Sequence, residues 1–142
     1  MCNGAGFGLS LTTFELACHA ITDDDHSNSH SNSHTVDCVV RNTGAIDGDE
    51  VVMVFHSAGA GIRARIGTTH PVPIRTLVGF ERVRVLAGKV TSLRFVLGEE
   101  ALWLVNVTGG RQLYTGAHTL LFSRGHGVDV AVNVTVGLDE YY

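Results

Sequence analysis

Hydrophobic and polar residues alternate with a strict period of two over residues 128–136, where Val128, Val130, Val132, Val134 and Val136 interleave with Asp129, Ala131, Asn133 and Thr135. That period predicts a strand with one buried and one wet face. The same alternation sets Val36, Cys38 and Val40 against Asp37 and Arg41, Val83 and Val85 against Arg82 and Arg84, and Leu93, Phe95 and Leu97 against Ser92 and Arg94. Residues 51–56 are apolar at both parities, the pattern of a central strand covered on both sides. Residues 14–21 and 118–123 complete the set, and residues 98–102 read as one helical turn. Between the strands stand Asn42-Thr43-Gly44, Asp47-Gly48, Ala87-Gly88-Lys89 and Thr108-Gly109-Gly110, residue types that tight turns select.

Seven or so short strands at regular spacing predict an all-β fold, an antiparallel two-sheet β-sandwich of the fibronectin type III or immunoglobulin-like kind. Its expected core holds Val36, Cys38, Val40, Val83, Val85, Leu93, Phe95, Leu97, Leu120 and Phe122. Two segments break the rhythm. Residues 23–34 read DDDHSNSHSNSH, a run without one apolar residue that predicts a loop outside the core. Residues 57–73, with three glycines and both prolines, predict a long inter-strand loop. The organisation expected is one domain over residues 1–142, with 1–10 as a lead-in segment.

Composition narrows the function classes. At 142 residues, 44% hydrophobic and 17% charged, the chain has enough apolar surface for one core and no room for a catalytic domain beside it. Its apolar runs are far shorter than the roughly 18–20 residues a bilayer requires, so no membrane partner is expected. The net charge is −4, yet six arginines and Lys89 lie between Arg63 and Arg94 against the single acid Glu81. These arginines interleave with valines as on the solvent face of a strand, so the reading is a solvated face and not a nucleic-acid surface. Residues 1–11 lack a basic leader and a long apolar stretch and do not read as a secretory signal; the compartment stays unknown at this level.

Candidate chemistry is sparse. His26, His30 and His34 recur every four residues, and neighbouring imidazoles can chelate Zn, Cu or Ni. A flexible polar repeat with no framework to orient its rings is more often a tolerated insertion, so these three are weak metal candidates and no cofactor is expected. His56 and His118 stand isolated in sequence, each reading as a strand residue. No nucleophile elbow, phosphate-binding loop or H-E-x-x-H motif occurs, and no catalytic residue is assigned. Trp103, the single tryptophan, reads as buried or partly buried beside Leu102 and Leu104. Cys2, Cys18 and Cys38 form no C-x-x-C pair; Cys18 and Cys38 could face each other, but free thiols are the favoured reading. Asn106-Val107-Thr108 and Asn133-Val134-Thr135 satisfy the N-x-S/T rule, which matters only in a secretory pathway.

Taken in order, the punctuation carries a resemblance. Gly6-Phe7-Gly8-Leu9-Ser10-Leu11-Thr12-Thr13-Phe14 resembles the segment leading into the last domain of three-domain family 3 glycoside hydrolases. Val39-Val40-Arg41-Asn42-Thr43-Gly44 and Asp47-Gly48-Asp49-Glu50-Val51-Val52 follow in that family's order. Pro73-Ile74-Arg75-Thr76-Leu77-Val78-Gly79-Phe80-Glu81-Arg82-Val83 is similar to its P-x-x-x-L-x-G-F-x-x-V signature, and Gly116-Ala117-His118 to its closing G-x-H/Y element. The β-xylosidase branch is the nearest in pattern. Leu11 replaces the usual tyrosine, and the histidine-serine-asparagine insertion is foreign to the family.

The resemblance implies a fibronectin type III-like accessory domain that packs against catalytic domains of a hydrolase, present in cis or missing. It implies no catalytic residue in this chain and a secretory location like that of the parent family. Leu77 and Phe80 are expected to anchor the core, with Gly79 allowing a tight backbone between them, while Asn42, Gly44, Asp47 and Gly48 shape the turn between the second and third strands and Gly116 belongs to the closing motif. An orphaned copy is expected to expose apolar residues at Leu9, Leu11 and Ile66. The alternative is a free-standing glycan- or protein-binding module, with a metal held by the histidine loop.

Overall fold

The computed structural model describes residues 10–21 and 33–137. Along the described chain run β1 (Phe14–Ile21), β2 (His34–Asn42), β3 (Gly48–Ala58), α1 (Ala60–Ile66), β4 (Thr76–Val85), β5 (Val90–Leu97), a 3-10 turn (Glu99–Leu102), β6 (Leu104–Val105), β7 (Arg111–Gln112), β8 (Gly116–Ser123) and β9 (Val130–Val136). The long strands form two antiparallel sheets, β1-β2-β5 and β4-β3-β8-β9, and β6 pairs with β7 in a small hairpin. The chain is an all-β sandwich, as its periodicity predicts.

The inner faces supply the core. Val36, Cys38, Val40, Phe95 and Leu97 from one sheet meet Val52, Val54, Val85, Leu120, Phe122 and Val132 from the other. Phe95 and Phe122 meet edge-on across the interface with centroids 5.4 Å apart, the geometry that the ring quadrupoles favour. Val83 and Leu93 are only half-buried at the margin. Val128 lies before β9 and is exposed, so the inward row of valines begins at Val130.

Two expectations fail here for physical reasons. Cys18 and Cys38 are directly opposite in the β1–β2 register and are joined by a disulfide, which overturns the free-thiol reading. The pair lies 20 residues apart across the serine-histidine run, and only strand register makes them neighbours. The 57–73 connection is not wholly irregular, because α1 forms within it. Its sequence AGIRARI is short and holds Gly61 in its first turn, so tertiary contact stabilises it: Ile62 and Ile66 pack with Ala58 and Leu104 in a second small core. Ile66 is therefore buried, contrary to the exposure expected, while Leu11 is exposed and Leu9 lies outside the described residues.

The β2–β3 turn is organised by Asn42, which is fully buried. Its Nδ2 donates to the carbonyls of Ile46 at 2.8 Å and Val85 at 3.0 Å, and its Oδ1 accepts from Thr12 Oγ1 at 2.6 Å and the Gly44 amide at 3.0 Å. A Cβ at Gly44 would collide with Thr12 Oγ1, so the segment before β1 seats against bare backbone there. Asp47 accepts from the Ala87 amide at 2.8 Å and ties this turn to the end of β4.

Candidate interaction face

In an antiparallel pair, directly opposed residues share a face. Phe80 is opposite Met53, and Leu77 is opposite Phe55, with the register shifting between them because β4 holds one residue more than β3 there. Val78 is that extra residue, and it packs inward against the core. The bulge turns Leu77 and Phe80, three positions apart, to the same outer side of the four-stranded sheet. They are 50% and 65% exposed, so neither anchors the core as expected from the sequence. Gly79, opposite Val54, faces inward with Leu97 beyond it.

Met53 and Phe55 on β3 and Leu121 on β8 continue this outer face, all half-buried with no element laid over them among the described residues. Arg75 places its guanidinium 4.5 Å from the centroid of the Phe55 ring. The far end of the face is polar: Asp49 accepts from Arg82 at 2.8 Å and from Arg84 at 3.3 Å. The Arg82 hydrogen bond holds the Asp49 carboxyl below its ordinary range. These arginines are the solvated strand face read from the sequence. The apolar end adjoins a groove of about 260 Å³ lined by Pro73, Leu77, Trp103, Val105 and Arg111. Trp103 at its rim is 41% exposed. Sequence reading missed this face although its signal was present: residues 51–56, apolar at both parities, have an outer face that nothing in the described structure covers.

A second feature is internal. His56 on β3 and His118 on β8 are both buried, and His56 Nε2 lies 2.9 Å from His118 Nδ1. His118 Nε2 is 2.8 Å from the Tyr114 carbonyl, to which it can only donate. In the tautomer that donates to Tyr114 from Nε2, His118 Nδ1 is the acceptor and His56 Nε2–H the donor. Burial, then His118, then Arg63 push the His56 pKa down to about 4. His34, at the start of β2, is also lowered, by burial and then by His118. His26 and His30 lie outside the described residues, and among those described no three ligand-type side chains converge to hold a metal. Sixty-two residues separate His56 from His118, so no spacing rule could have joined them.

The remaining motif positions are structural in placement. Gly48 lies close under Thr12 and Phe14, and Gly116, with φ of 128°, lies against Ile62 of α1. No helix among the described residues is long and apolar enough to cross a membrane.

The model of the fibronectin type III-like domain matches residues 50–125, from β3 through β8. A β-xylosidase of Formosa agariphila is 30% identical over 115 residues, which cover 81% of this chain and 15% of that protein. A probable β-glucosidase M of Aspergillus flavus is 30% identical over 137 residues, covering 78% of this chain and 16% of its own. Among solved structures, a β-glucosidase from Listeria innocua in complex with glucose superposes with a TM-score of 0.72 at 23% identity, covering 93% of this chain and 17% of that one. The likeness in shape supports the fold. The chain spans about one sixth of the length of these relatives.

Proposed function

Since the chain belongs to the fibronectin type III-like domain family, we propose that it is the non-catalytic accessory sandwich of a family 3 β-xylosidase- or β-glucosidase-type hydrolase, docked on catalytic domains in cis. The observation that carries this reading is the exposure of Leu77 and Phe80 beside Met53, Phe55 and Leu121 on one sheet face. The sandwich already fills its core from the opposite face, so an uncovered apolar sheet costs solvation with no return unless a partner lies on it. Contacts between domains of one chain bury about 600–1,500 Å². The catalytic portion is the fitting partner because relatives named β-xylosidase and β-glucosidase carry this sequence as a small part of a longer chain.

Turnover belongs to the partner on this reading. Retaining glycoside hydrolysis needs two carboxyls about 5–5.5 Å apart beside a sugar-shaped cleft. On the outer face, Asp49 is instead occupied by Arg82 and Arg84. The test replaces the matched segment of the Formosa agariphila β-xylosidase with this chain. The chimera should be active, and Leu77→Asp with Phe80→Asp should lower its melting temperature by several degrees while leaving the melting of the isolated 142-residue chain unchanged. Equal melting of the chimera with and without the two aspartates would refute docking through this face.

A further inference from the structure

The two N-x-T sequons fold differently, and we propose that Asn106, in preference to Asn133, is the acceptor for an N-linked glycan. Asn106 opens the turn between β6 and β7. Its Oδ1 accepts three bonds, from the Thr108 amide at 3.0 Å, Thr108 Oγ1 at 2.8 Å and the Gly110 amide at 2.9 Å. Three donors on one atom identify it as the oxygen, which leaves the amide nitrogen Nδ2 with no hydrogen bond among the described residues. The backbone closes the same turn, with the Asn106 amide donating to the Gly110 carbonyl at 2.7 Å and the Gly109 amide to the Asn106 carbonyl at 3.0 Å. Val107, Thr108 and Gly109 are exposed.

Two consequences follow for this site, and the first separates it from the other. First, every bond that shapes it lies within residues 106–110, so the hydroxyl-to-amide-oxygen contact of the sequon can form in a chain that has not yet paired its strands. Second, Nδ2, on a half-buried residue followed by exposed Val107 and Thr108, can carry a sugar without breaking any bond of the folded turn. Asn133, whose Nδ2 also has no hydrogen bond among the described residues, lacks the first property. It lies within β9 opposite Thr119, whose hydroxyl donates to its Oδ1 at 3.3 Å, a contact that exists only after β8 and β9 have paired. Its register places it on the outer side of the sheet, along the row through Thr119 and Ser57.

The compartment fits the chemistry. The Cys18–Cys38 disulfide is of a kind that forms and persists in oxidising, secretory environments, where the glycan donor is also found. The donor is a polyprenyl-diphosphate-linked oligosaccharide. In the transfer, a bond forms between Asn106 Nδ2 and the anomeric carbon of the first sugar, the bond from that carbon to the phosphate oxygen breaks, the diphosphate leaves on its lipid, and the Nδ2 proton passes to a base of the transferase. The Asn106 assignment does not rest on the docking reading and fails or stands without it.

The experiment translates the full 142-residue chain behind a cleavable export signal in the presence of microsomes, which reads acceptor use without requiring secretion. The expected result is one endoglycosidase-sensitive mobility shift that Asn106→Gln and Thr108→Ala abolish, Thr108→Ser retains and Asn133→Gln leaves unchanged. No shift, a shift that depends on Asn133, or two shifts of equal occupancy would overturn the proposal.

Discussion

Leu77 and Phe80 stand on the same side of the β4-β3-β8-β9 sheet although an odd number of positions separates them, because Val78 is bulged inward between them. A regular strand would bury one and expose the other.

Truncation should tell the two kinds of phenylalanine apart. In the isolated chain Phe80→Ala should cost less than about 1 kcal/mol, since its ring is mostly in solvent. Phe122→Ala, which empties the centre of the core against Phe95, should cost about 3–5 kcal/mol. Urea unfolding of both variants makes the comparison, and equal losses would restore Phe80 to the core.

The strands were legible in the chain because each repeats a period of two, and the inward positions Val36, Val40, Phe95, Leu97, Leu120 and Phe122 follow from it. What escaped were features that break the period or join distant positions. The bulge at Val78 is an insertion with no compositional mark. The α1 helix depends on Ile62 and Ile66 meeting Leu104, a contact across the fold that helix propensity does not encode. Residue type alone places Asn42 in a turn, but its four hydrogen bonds reach residues as far away as Val85.

That network makes Asn42 sensitive to isosteric change. Asn42→Asp keeps the size but loses the two Nδ2 donations and sets a carboxylate oxygen against the carbonyls of Ile46 and Val85. The expected loss is about 2–4 kcal/mol, read as a lowered denaturation midpoint with an unchanged slope.

Acid should weaken the fold through the histidine pair. The folded His56 pKa is about 4, below its ordinary value of 6.5, so the unfolded chain binds more protons between those limits. The stabilisation is fully present above pH 6.5 and is lost as pH falls toward 4, amounting to about 2 kcal/mol after allowance for solvent screening. His34, lowered in the same direction, adds to the slope. Thermal melts from pH 7.5 to 4.5 should show this fall, and His56→Gln should flatten it.

Thiol counting checks the disulfide. The sequence has three cysteines, and with Cys18 and Cys38 joined, the denatured unreduced chain should react with one equivalent of a thiol reagent, at Cys2. Replacing both partners by serine should cost about 3 kcal/mol, because the bond restrains a loop of 20 residues in the unfolded chain.

Arg63 gives the connection after β3 an unexpected character. From α1 it donates to the carbonyls of Ala58, Val72, Pro73 and Ile74 and to the Ser57 hydroxyl, so one guanidinium grips the chain where it leaves β3 and again where it approaches β4. The consequence is kinetic. This segment opens only when the neighbouring sheet opens, so the Gly67 amide that caps α1 should exchange its hydrogen on the timescale of β3 and not of a surface loop. A lysine at this position would keep the charge and surrender the grip, converting a strut into a hinge.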